Sequence, residues 1–146
     1  MIITIQMNIR ILSNIEEFES VYPLMIQLRT HLSLNEFLEY ASVANQMDQY
    51  TLVGAYEKEA CIGLMGMRIN VDMVRGKHIY IDDLVVDEET RSKGVGGKLL
   101  AFAEDFATKN NCKVLRLCTG IQNEKGKSFY ERNNWRQTAI AYTKRL

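Results

Sequence analysis

The residues of this chain best equipped for chemistry lie in the stretch Arg91-Ser92-Lys93-Gly94-Val95-Gly96-Gly97-Lys98. It joins an apolar run, Ile79 to Val86, to a segment whose apolar residues Val95, Leu99, Phe102 and Phe106 recur at gaps of four and three. That is a strand, a turn and a helix. The first amides of a helix have no partners inside it, and glycine lets a bulky anion come close to them. Arg91, Lys93 and Lys98 add positive charge. The turn is therefore expected to hold phosphate.

What the turn lacks narrows the choice. A Walker-type loop reads G-x-x-x-x-G-K-[ST]. Here Gly97-Lys98 is followed by Leu99, and Ser92 stands where the first glycine belongs. A dinucleotide-binding turn needs a third glycine where this chain has Leu99. Both classes are disfavoured. A basic, glycine-rich connection without any ligand remains open on these residues alone.

The elements that must position this turn follow from periodicity. Asn8 to Leu12 alternates as a first strand and ends at the turn pair Ser13-Asn14. Ile15 to about Leu32 has helical spacing, with Pro23 predicting a kink or a late start. Ser33 and Glu36 form a capping-box pair before a second helix whose apolar face is Phe37, Leu38, Ala41 and Ala44. Tyr50–Tyr56 and Ala60–Val71 read as strands, Gly63 and Gly66 marking a bulge or a close approach of another backbone. The central strand and the helix from Gly94 to Asn110 come next. Then follow a strand over Lys113–Thr119, a short helix from Asn123 through Glu131, and a final strand pair running from Trp135 to Leu146. The order β-α-α-β-β-β-α-β-α-β predicts an α+β fold with a mixed, mostly antiparallel sheet flanked by helices, in one domain over 1–146.

Composition is that of an ordinary globular domain, 47% hydrophobic and 25% charged. Eighteen basic residues balance eighteen acidic ones, which gives no global reason to expect nucleic acid or an anionic membrane. Cys61, Cys112 and Cys118 are odd in number and unpatterned, as expected of reduced thiols in a cytoplasmic protein. His31 and His78 lack ligand-spaced neighbours, so no metal is expected. No apolar run approaches membrane-spanning length, and the opening M-I-I-T-I-Q lacks the pattern of a signal peptide. Met7 could equally be the native start.

Arginine followed by x-x-Gly-x-Gly after an apolar strand resembles the acetyl-CoA pyrophosphate loop of the GNAT family of N-acetyltransferases. A second stretch, Asn123-Glu-Lys-Gly126-Lys-Ser-Phe129-Tyr130-Glu-Arg-Asn-Asn134-Trp135, is similar to the family's N-x-x-A-x-x-F-Y-x-x-x-G-F. Asn123, Phe129 and Tyr130 match. Gly126 replaces alanine, Trp135 replaces phenylalanine, and Asn134 takes the place of the turn glycine, a swap that a left-handed position tolerates. The element order is the family's too, so the resemblance covers nearly the whole chain.

The resemblance implies acetyl transfer from acetyl-CoA to a primary amine of a small molecule such as a polyamine, amino acid or aminophosphonate, by direct attack in a ternary complex. It implies that Leu84, Val85 and Val86 contact the pantetheine arm, with a main-chain N–H near Leu84 meeting the thioester oxygen. Arg91 and Ser92 to Lys98 hold the pyrophosphate, and Asn123 touches the arm or the leaving sulfur. Tyr130 resembles the family's general acid. Asp82 stands where polyamine acetyltransferases of the family carry acidic residues, and is expected to be the base, directly or through water. It shares a strand face with Leu84 if no bulge intervenes, while Asp83, the second choice, points the other way. Either carboxylate could instead bind a cationic substrate or cap a loop. Similar proteins commonly dimerise, which leaves a homodimer open. Two other readings stand beside this one: a non-catalytic acyl-CoA sensor of the same fold, and a protein lysine or N-terminal acetyltransferase.

Overall fold

The computed structural model describes residues 6–90 and 93–146, and Arg91 and Ser92 lie outside them. It divides into two compact units, Met1–Arg116 and Leu117–Leu146.

The first unit opens with β1 (Met7–Ile11), followed by α1 (Ile15–Leu28) and α2 (Leu34–Asp48). Asn14 caps α1 by accepting from the Glu17 amide, and the helix runs through Pro23 rather than starting late. Proline removes one backbone donor, and tertiary burial of Phe18, Val21, Leu24 and Met25 outweighs that loss. The capping box at the head of α2 forms as its residues predict: Glu36 donates its amide to the Ser33 hydroxyl, and the Ser33 amide reaches the Glu36 carboxylate.

Next come β2 (Thr51–Glu57), β3 (Ala60–Asp72) and β4 (Gly76–Val86), with β5 (Leu115–Leu117) after α3 (Val95–Lys109). Sheet order is β1-β2-β3-β4-β5, and the first three pairings are antiparallel. The fold class is thus the expected one. One sheet face meets α1 and α2 through a core that includes Val21, Phe37, Leu52, Leu64 and Val85. On the other face α3 approaches Gly63, where an added Cβ would come within 2.5 Å of the Val95 Cγ1 and 3.0 Å of the Leu99 Cδ1. Gly63 is therefore the close approach that its residue type suggested.

β3 returns into β4 through a tip held by Asp72, whose carboxylate accepts from the Val74 and Arg75 amides at 3.0 and 2.6 Å. The strand expected over Lys113–Thr119 is shorter, three residues against eleven in β4. Most of β4's second edge thus has no strand beside it among the described residues.

The second unit contains α4 (Glu124–Arg132), capped by Asn123. Asn134 follows in the left-handed region with φ 67°, as its place in the motif required. The expected final strand pair is not there: residues 135–146 carry neither helix nor strand. A segment becomes strand only when a neighbour supplies a ladder of hydrogen bonds. Ile140, Tyr142 and Leu146 are exposed.

Candidate active site

The register of β3 on β4 decides the layout. Arg68 pairs with Tyr80 and Gly66 with Asp83, while Met67 between them pairs with Ile81. β4 therefore carries one residue more than β3 over this interval, a β-bulge at Asp82. Paired residues share a face, and Gly66 and Arg68 lie two apart on β3, so Tyr80 and Asp83 share that face as well. Asp82, two residues after Tyr80, joins them. The alternation expected from sequence fails here: the two carboxylates do not point apart, and Leu84, paired with Met65, belongs to the opposite face from Asp82. The extra residue is the physical reason.

Both carboxylates sit in one ionic network. Arg68 donates from Nε to Asp82 Oδ2 at 2.9 Å and from Nη1 to Asp48 Oδ2 at 2.9 Å. Arg29, just past α1, donates from Nε to Asp83 Oδ1 at 3.0 Å and from Nη2 to the Asp82 carbonyl at 2.9 Å. The Tyr50 hydroxyl donates to Asp83 Oδ2 at 2.6 Å. Gly66 makes room for that hydroxyl, since an added Cβ would collide with the Tyr50 ring. Burial pushes the Asp82 carboxyl above the ordinary carboxylate range; Arg68 pulls it back, and Asp83 adds to the rise. Burial, then the charge of Asp83, hold the Tyr50 phenol well above its usual value, so it stays a donor.

At the glycine turn, Gly94 caps α3 with φ 74° and, having no side chain, supplies no cap bond. Apart from its chain neighbours, no described residue comes within 4 Å of where a Gly94 Cβ would stand. Val95 and Gly96 are buried, whereas Lys93, Gly94 and Lys98 face solvent. The Lys93 ammonium lies 3.5 Å from the Glu57 carboxylate. A helix N-terminus flanked by lysines suits a diphosphate. Of the expected arm contacts, Val85 is buried and Leu84 and Val86 are half-buried. A hollow of about 500 Å³ lined by Glu104, Thr108, Lys113 and Leu115 lies at the far end of α3 from this turn, so volume alone does not mark the site.

In the second unit Asn123 is engaged at both ends of its amide. It accepts from the Gly126 amide at 3.0 Å and donates to the Thr119 hydroxyl at 2.9 Å. A Cβ at Gly126 would lie 2.8 Å from the Asn123 Cγ, which accounts for glycine where the motif has alanine. The Tyr130 ring meets Phe129 edge-on at 5.3 Å and Trp135 at 5.8 Å. Burial raises its phenol above the ordinary value. Sequence reasoning missed Arg29, Tyr50 and Arg68; Gly66 was the one visible sign, since a glycine inside a strand marks something pressing on the backbone.

The model of the Acetyltransferase (GNAT) family matches residues 13–135. This chain belongs to the GNAT family. Among its relatives, an uncharacterized N-acetyltransferase of Bacillus subtilis, YhdJ, is 35% identical over 119 residues, covering 82% of this chain and 84% of that protein. The aminoalkylphosphonate N-acetyltransferase of Salmonella typhimurium is 28% identical over 136 residues, 90% of this chain and 86% of the relative. The GNAT fold is seen also in a solved complex of the aminoglycoside N-acetyltransferase AAC(6')-Iy with CoA, with a TM-score of 0.84 at 22% identity, covering 97% and 96% of the two chains. As a GNAT member the chain is an acetyl-CoA-dependent N-acetyltransferase. None of its described helices is long and apolar enough to cross a membrane.

Proposed function

We propose that this GNAT enzyme acetylates a primary amine of a small molecule, with Asp82 as base and Tyr130 as acid. The observation that carries the reading is the bulge, which sets a part-buried carboxylate beside a second one on the face of the central strand that meets α1 and α2. An amine of the lysine type has a pKa of about 10.4 and arrives protonated. A carboxylate with a raised proton affinity is suited to take that proton, directly or through a water. Acetyl-CoA supplies the acetyl group as a thioester. The amine nitrogen forms the new bond to the acetyl carbon as the carbon–sulfur bond breaks, Tyr130 gives its proton to the departing sulfur, and the nitrogen's remaining surplus proton passes to solvent as the Tyr130 hydroxyl is restored. Lys93 to Lys98 hold the diphosphate, Leu84 to Val86 line the arm, and Asn123 supports the second motif as its cap.

A small acceptor is supported by the similarity to the aminoalkylphosphonate enzyme, which spans most of both chains. The test is an acetyl-transfer screen across aminophosphonates, polyamines, aminoglycosides, amino acids and lysine peptides, reading released thiol and acetylated product together. A small amine should outpace every peptide. Transfer to peptides alone would refute the small-molecule reading, and coenzyme binding without turnover on any amine would indicate a sensor.

A further inference from the structure

Arg68 stands outside both family motifs, yet it joins the bulged strand to the end of α2. Its guanidinium reaches Asp82 on one side and Asp48, the last residue of α2, on the other, both at 2.9 Å. It also lies over the Tyr50 ring, 5.3 Å from the centroid. Its side chain is 20% exposed and that of Asp82 22%, so water screens the pair only in part. Asp82, as the extra residue of the bulge, has no opposite number on β3 to fix its backbone orientation. The contact with Arg68 supplies that restraint from the side chain.

We infer that Arg68 is a positioning residue, which keeps the Asp82 carboxylate ionised and aimed from the bulge while tying it to the end of α2. This rests on the assignment of Asp82 as base. The charged and titratable groups facing Asp82 are Arg68 from β3, Asp83 from β4, Arg29 from the end of α1, and Asp48 and Tyr50 behind Arg68. Burial and Asp83 both favour the protonated acid, and the arginines oppose them. Losing Arg68 leaves burial and a like charge opposed by Arg29 alone. A contacting opposite charge is typically worth about tenfold or more in the ionised fraction.

The experiment follows the Asp82 carboxyl by carbon NMR, assigned against D82N, beside pH profiles of kcat/KM. In R68Q the carboxyl should titrate at higher pH than in the wild type, and kcat/KM at mildly acid pH should fall on the order of tenfold. R68K restores charge without a planar fork, so its carboxyl titration should return most of the way while kcat stays reduced. An unmoved Asp82 titration in folded R68Q overturns the inference. A titration that moves while D82N keeps the wild-type acidic limb leaves Arg68's hold on Asp82 standing and refutes Asp82 as base. Should R68Q not fold, D48N at the exposed end of α2 is the substitute. It should lower kcat with the KM for acetyl-CoA unchanged, and an unchanged kcat overturns the inference.

Discussion

Gly63 is where the sheet admits the helix that carries the diphosphate turn, and G63A measures how tightly that joint is made. A methyl at 63 would lie 2.5 Å from the Val95 Cγ1, too close for either atom to stay put. Val95 is 1% exposed, in the first turn of α3, so relief must come from shifting the helix start. Forcing an extra methyl into a closed core costs about 1–3 kcal/mol. Restricting the unfolded chain by replacing glycine gives back about 0.4–1 kcal/mol. The net expectation is a loss of about 0.5–2 kcal/mol, read from urea unfolding. Coenzyme affinity should fall with it, because the displaced turn is the one proposed to hold the diphosphate. V95A alone opens a small cavity and should cost on the order of 1–2 kcal/mol. In the double variant the new methyl occupies the space the old one left. Its cost should therefore fall short of the sum of the two single costs by at least about 1 kcal/mol, within the usual range for residues in contact. Additivity within about 0.5 kcal/mol, or a G63A protein as stable as the wild type, would refute the account of this joint.

Y130F should lower kcat by about 10²–10⁴-fold with the KM for acetyl-CoA nearly unchanged, in steady-state assays; full turnover would remove Tyr130 from the mechanism. The wild-type rate should have an acidic limb above the ordinary carboxylate range, because the base works ionised and burial raises the Asp82 pKa, so activity is lost as pH falls through it. D82N should abolish that limb along with most of the rate. At the left-handed Asn134, N134G should be neutral or mildly stabilising and N134A should cost on the order of 1 kcal/mol by denaturant titration.

What the sequence made legible was whatever depends on neighbours along the chain. The capping box of Ser33 and Glu36, the helical period of α3 and the left-handed place of Asn134 are local, and each stands as its residues predict. The glycines of β3 announced crowding without naming the intruder; Val95 and Tyr50 come from elsewhere in the chain. Gly66 signalled a bulge, and the register does shift between Gly66 and Met67, but the extra residue, Asp82, belongs to β4, which alone looks regular. From that one inserted residue came the mistaken faces of Asp82, Asp83 and Leu84. Arg29, Tyr50 and Arg68 belong to no pattern, and only folding gathers them around the acidic pair. The final strand pair, expected over Trp135 to Leu146, has no ladder to hold it. The expectations for Arg91 and Ser92 fall outside the described residues.

The handedness of Gly94 has a chemical consequence. Its φ of 74° and ψ of 19° are unfavourable for an L residue because of chirality. A mirror-image alanine installed there by semisynthesis would find those angles its natural ones. Such a substitution would stiffen the cap before any ligand arrives and leave the charged side chains as they are, separating the role of backbone shape from that of side-chain charge.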